Sequence, residues 1–233
     1  RLRTTPSATL DGTPVELFAN IELPQDTVEV KESGAQGIGL FRTEFLFMNR
    51  EDLPSEDEQF EAYRDVARAM EGAPVVIRTL DIGADKAIDG ASAQPEMPNP
   101  ALGLRAIRYC LAEPQIFLGQ LRAILRASKF GRVKILLPML AHAHEIAQAL
   151  ALVKQARQQL DDKGLAYEAE VEVGGMIEIP AAALQSLAES LHPVPHEVNE
   201  LDWKARLSDH RDRLAEHLMA FANHPNGGTL AFG

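Results

Sequence analysis

The sequence predicts an α/β fold, a parallel sheet covered by helices, and three observations predict it. Short apolar runs alternate with longer amphipathic stretches about five times between Val15 and Ile179, the pattern of repeated βα units. The apolar runs, such as VVIRTL and VKILLPM, are largely continuous rather than alternating with polar residues. Strands buried on both faces have that texture. Several amphipathic stretches also open on capping residues and close on glycine, as at Ser55 and Gly72.

The elements follow in order. VELFANI (15–21) reads as a first strand and residues 26–33 as a short helix ended by Gly34. GIGLFR (37–42) is the second strand. Residues 55–70 form a helix: Ser55 caps it, three acids fill its first turn, and Phe60, Tyr63, Val66, Ala67 and Met70 recur at helical spacing. PVVIRTL (74–80) is the third strand. A long loop over 81–104 is rich in Gly, Ala, Asp and Pro, a composition and length associated with function or disorder. Helices over 105–111 and 114–128 lead to a fourth strand, 133–139. A helix over 142–163 stops at Gly164, and VEVGGMIEI (171–179) is the fifth strand. Pro180 suits the first turn of the helix that follows. A (β/α) barrel and an open doubly wound sheet both fit this order. The absence of a glycine-rich dinucleotide fingerprint after the first strand favours the barrel.

Composition narrows the class. The chain has 233 residues, 45% hydrophobic and 24% charged, with a formal net charge of -11. That acidity argues against a general nucleic-acid or membrane surface. No apolar run reaches the roughly 18 residues of a membrane span. The single cysteine, Cys110, excludes an intramolecular disulfide and makes the cytoplasm the default compartment. Cys110 is expected to be a buried small residue. The first residue is Arg1 and no signal peptide follows, so the chain reads as an excised segment.

Three polar residues sit at or near the ends of apolar strands: Arg42, Arg78 and Glu178. In a (β/α) barrel such ends converge on one mouth. Two guanidinium forks suit phosphate or carboxylate oxygens, and a glutamate supplies a hard oxygen for Mg²⁺. His142 and His144 are expected on different helix faces, as surface residues rather than ligands.

The words GIGLFRTEFLFMNREDLPSEDEQF, VVIRTLDIGADK, NPALGLRAIR, QLRAILRAS, ILLPM and GGMIEIPAAA resemble the Enzyme I family, the phosphoenolpyruvate-protein phosphotransferases of bacterial sugar uptake. The resemblance covers roughly residues 8 to 188. It implies a partial (β/α)8 TIM barrel of about five βα units that binds phosphoenolpyruvate (PEP). It implies that Arg42 and Arg78 bind the phosphate, that Arg105 joins the same basic pocket, and that Glu178 ligates Mg²⁺. The implied partners are a phosphohistidine domain of the parent enzyme, the carrier HPr, and a second copy in a homodimer. The family's later substrate and metal ligands, its proton-donor cysteine and its Gly-rich TSH word are not found here. The expectation is therefore a truncated barrel, inactive alone.

The domains expected are a barrel segment over 1–191, a junction over 192–199 and a second unit over 200–233. This small α+β tail, with Glu200, Lys204 and AFAN followed by two glycines, resembles the start of an AlbA-type, Schlafen-related DNA-binding domain. It leaves a non-catalytic fusion as the alternative, with nucleic acid met only through the tail.

Overall fold

Five strands pair in parallel in chain order: β1 (Ala19–Ile21), β2 (Ile38–Arg42), β3 (Val75–Arg78), β4 (Val133–Leu137) and β5 (Val173–Gly175). The structure, a computed structural model, describes residues 7–48, 50, 52–83 and 103–183. Most of the predicted loop (84–102) and the whole tail from 184 lie outside the described residues. Helices join the strands: α1 (Thr27–Ser33), α2 (Glu56–Ala69), α3 (Ala106–Ala112), α4 (Pro114–Ala127) and α5 (Ala143–Asp162). The strand order never reverses. A doubly wound sheet has a switch point where its order turns back, so the sequential order is that of a barrel wall. Helices α2, α4 and α5 touch in succession, which places them in one layer over the sheet.

Two helix boundaries and one close approach have clear local causes. Ser55 accepts from the Glu58 N–H (3.2 Å), and the Glu58 carboxylate accepts from the Ser55 N–H (2.7 Å), a closed capping box. Helix α1 ends at Gly34, whose φ of 80° lies in the left-handed region that glycine adopts without steric cost. At Gly131, a Cβ would stand 2.6 Å from the Ala67 carbonyl oxygen, so only glycine lets the turn before β4 pass this close to α2.

The core runs continuously between sheet and helices. Ile38, Phe41, Val75, Ile77, Ile135 and Leu137 from the strands meet Tyr63, Val66, Phe117, Leu121 and Ile124 from α2 and α4. Outside this apolar seam, Arg122 and Arg126 of α4 grip the two oxygens of Glu56 (2.7 and 3.0 Å), and the Arg126 guanidinium lies 4.1 Å from the centre of the Phe60 ring. Cys110 is buried and free, with its thiol pushed up to about 12 by burial. Among the described residues no helix is long and apolar enough to cross a membrane.

All five strands are shorter than expected, the first and fifth by the most. The first begins at Ala19, not Val15. Leu17 instead bonds Gln36, accepting from its N–H (2.8 Å) and donating to its side-chain oxygen (2.9 Å). Val15, Leu17 and Phe18 are exposed. The fifth strand spans three residues, because pairing with β4 stops at Gly175.

The Glu58 carboxyl is held well below its ordinary value, at about 2, mainly by the Ser55 N–H and then by Arg50. A lowered folded-state value stabilises the fold above the unfolded value and loses that contribution as pH falls through the folded one. Ser55→Ala is expected to cost about 1 kcal/mol in urea unfolding. The stability difference between wild type and Glu58→Gln should shrink as pH drops from 4.5 towards 2.

Candidate functional site

Parallel pairing puts the C-terminal ends of all five strands on one edge. Arg42 and Arg78 are the last residues of β2 and β3, and they face each other in register. Arg78 also pairs with Leu136, which pairs with Gly174. At the usual strand spacing, β5 therefore ends about 10 Å from Arg78.

The arginines do not stand alone. Arg42 Nη1 donates to Glu22 (2.7 Å) and its Nε to Glu44 Oε1 (3.2 Å). Arg78 Nη2 donates to the same Glu44 oxygen (2.5 Å). Arg78 Nη1 pairs with Asp81 (3.0 Å), and the other Asp81 oxygen accepts from Arg105 Nη2 (3.1 Å). Three carboxylates and three guanidiniums thus alternate in an unbroken chain: Glu22, Arg42, Glu44, Arg78, Asp81, Arg105. Its centre is the driest part, with Glu44 6% and Arg78 8% exposed. Two atoms there, Glu44 Oε2 and Arg78 Nε, are buried without a partner among the described residues, as is Arg105 Nε. Unpaired buried polar atoms are costly; the two guanidinium N–H groups suit an anion, whereas the Glu44 oxygen does not.

The neighbouring backbone fixes this geometry. The Thr43 hydroxyl donates to the Arg78 carbonyl oxygen (2.8 Å) and accepts from Gln120 Nε2 (3.1 Å). Gln120 Nε2 also donates to the Tyr63 hydroxyl (3.2 Å), while its oxygen accepts from the Leu80 N–H (2.8 Å). Tyr63 donates in turn to Gln59 (3.2 Å), and burial drives its phenol well above the ordinary range. One glutamine of α4 therefore clips the turns after β2 and β3 together beneath the arginines. Arg105 is held at the base of the long loop, where Gly83 and Arg105 form an antiparallel bridge.

Glu178 lies beyond β5 and is exposed. Its Oε1 accepts from the Met139 N–H just after β4 (2.7 Å), which draws it to the same edge as the arginines. Met139 has a φ of 56°, and Ala106, next to Arg105, has a φ of 49°. Such left-handed backbone costs a non-glycine residue roughly 1 kcal/mol. Two of these residues therefore flank the strand-end edge, where strain often accompanies function. Mg²⁺ commonly binds through one or two carboxylates with substrate oxygens and water. A tethered, solvent-facing glutamate fits that role. Among the described residues no group of three metal-ligating side chains occurs.

An open cavity of about 550 Å³ lies beside the charge chain, lined by Asn20, Ile21, Glu22, Asp26 and Arg42 among others. Neither Arg78 nor Glu178 lines it, so it adjoins the site rather than containing it. His142 and His144 do not lie on separate faces. His142 is the extended N-cap of α5 (φ -140°), so helical spacing does not apply, and the two rings stack with centroids 5.4 Å apart. The carboxylates Glu22, Glu44 and Asp81 were not anticipated as site residues. The usable signal was their nearness to strand ends: Glu44 follows Arg42 by two positions and Asp81 follows Arg78 by three.

Comparisons with known proteins identify the family. The model of the family described as PEP-utilising enzyme, PEP-binding domain matches residues 1–192. A protein of Cupriavidus necator named phosphoenolpyruvate-protein phosphotransferase is 60% identical over 186 residues, 79% of this chain and 32% of its own length. Proteins of the same name from Staphylococcus carnosus and Bacillus subtilis are 51% and 49% identical, over 78% and 79% of this chain and 32% of theirs. The chain spans about a third of the length of these relatives. It belongs to the PEP-utilising enzyme family, in its PEP-binding domain.

Gln120→Leu should destabilise the fold by about 1–3 kcal/mol in urea unfolding, because the buried Leu80 N–H loses its acceptor and the Thr43 and Tyr63 hydroxyls lose a donor. A cost below about 1 kcal/mol would show that water replaces the amide.

Proposed function

We propose that this chain is the PEP-binding segment of a phosphoenolpyruvate-protein phosphotransferase, with Arg42, Arg78 and Arg105 binding the substrate and Glu178 holding Mg²⁺. The observation that carries this reading is the in-register pair of strand-end arginines, joined through one buried carboxylate. PEP carries a phosphate and a carboxylate, both planar or tripodal oxygen arrays that guanidinium forks bind in pairs. Arg78 Nε is buried without a partner among the described residues, so its N–H is left to donate to a further oxygen without loss of the ion pairs. Arg42 is more open and can turn from Glu22 towards a ligand.

When bound, Mg²⁺ would neutralise phosphoryl charge and orient the transferring group. The chain's own residues supply positioning and electrostatic stabilisation, which dominate phosphoryl transfer. The acceptor in this reading is a histidine on another domain of the parent enzyme, which then passes the phosphoryl group to HPr in the cytoplasm. Residues 200–233 form a separate unit in this reading, after a junction over 192–199. The family match stopping at residue 192 supports that division.

Isothermal titration with PEP and Mg²⁺ tests the proposal. Wild type should bind, and both Arg78→Ala and Arg42→Ala should weaken binding. Loss of about 2 kcal/mol, or roughly 30-fold, is expected for Arg78, the buried member. Thermal unfolding of both variants separates lost binding from lost fold. No heat from a folded wild-type chain would sink the reading.

A further inference from the structure

Glu44 is buried, charged and unusual in its bonding. A single oxygen, Oε1, accepts from Arg42 Nε at 3.2 Å and from Arg78 Nη2 at 2.5 Å, while Oε2 has no partner among the described residues. A carboxylate placed only for stability would be expected to use both oxygens, as Glu56 does between Arg122 and Arg126. Using one oxygen for two cations draws the two guanidiniums together from adjacent strands. The backbone beneath Glu44 is held as well, since Thr43 is clamped between the Arg78 carbonyl and Gln120.

We propose that Glu44 is a positioning residue for anion binding, setting the spacing and direction of the Arg42 and Arg78 guanidiniums through one shared oxygen. The proposal rests on the reading that these arginines bind PEP, and it adds a residue to that site. Arg42 and Arg78 touch the substrate, whereas Glu44 acts through them. The alternative physical role is competition. A negative charge among arginines could simply oppose an incoming anion, and its removal would then tighten binding. The shared oxygen favours positioning, because two guanidiniums without a common counter-charge repel and separate.

The test uses the full chain with Glu44→Gln, which keeps side-chain size and removes the charge, and Glu44→Asp, which keeps the charge and shortens the reach. Titration with PEP and Mg²⁺ should give a dissociation constant raised roughly 10–100-fold for Glu44→Gln, by analogy with the residues that orient metal ligands. Glu44→Asp should recover part of that loss. An unchanged or lowered constant in a folded Glu44→Gln chain would overturn the proposal.

A second readout needs no ligand. With ¹⁵N-labelled protein, the Arg42 Nε–H resonance should be protected from solvent exchange in wild type and lose that protection in Glu44→Gln. Protection retained in the variant would overturn the proposal. If wild type itself ignores PEP, the PEP-binding reading fails, and the resonance alone judges whether Glu44 orders Arg42.

Discussion

The site depends on one constraint: two arginines are the last residues of neighbouring parallel strands, in register. Side chains so placed cannot avoid each other. At an effective dielectric near 20, two unit charges about 5 Å apart repel by roughly 3 kcal/mol. The chain meets this repulsion with carboxylates from just beyond the same strands, Glu44 after β2 and Asp81 after β3. Charge then alternates along the edge, and the sum over the six groups from Glu22 to Arg105 is zero. A desolvated ion-pair chain of this kind contributes little net stability. Its position at the strand ends accords with the proposed ligand site rather than with a large gain in stability.

The fold holds that edge from below. Gln120 reaches from α4 to Leu80, Thr43 and Tyr63, so hydrogen bonds tie the helix layer to the two strand-end turns. Because α4 is itself locked to α2 through Glu56 and the Phe60 ring, the rigidity of the arginine pair traces back to helix–helix packing remote from it. Buried polar networks that are fully paired confer this kind of specificity. The unpaired atoms at the edge are Glu44 Oε2, Arg78 Nε and Arg105 Nε.

Much of this was legible in the sequence. Arg42 and Arg78 stood out because an arginine is out of place in an apolar strand except at its end. Ser55 and Gly34 marked helix boundaries through capping chemistry that depends on a few neighbouring residues. The carboxylates were not legible, since Glu44 and Asp81 lie in turns where acids are common and only the register of β2 against β3 gives them their partners. Val15 and Phe18 misled for a related reason. Apolar character predicts a strand, but at a sheet edge the backbone of Leu17 finds Gln36 instead. The stacked histidines depended on one dihedral: an N-cap is extended, so residue spacing across it does not follow the helix.

Internal pairing also sets what can bind. An incoming anion must match the contacts that Arg42 already makes with Glu22 and Glu44, and that Arg78 makes with Glu44 and Asp81. A monocarboxylate offers one charge and two oxygens, no more than each resident carboxylate, and gains nothing by exchange. A ligand with a phosphate and a carboxylate offers more charge and can contact two guanidiniums at once, including the unpaired Arg78 Nε. With a cation held near Glu178, part of the added negative charge is offset before it meets Glu44. In the proposed site, preference for a phosphorylated carboxylate therefore comes from the ion pairs themselves: they exclude weaker anions by being satisfied already.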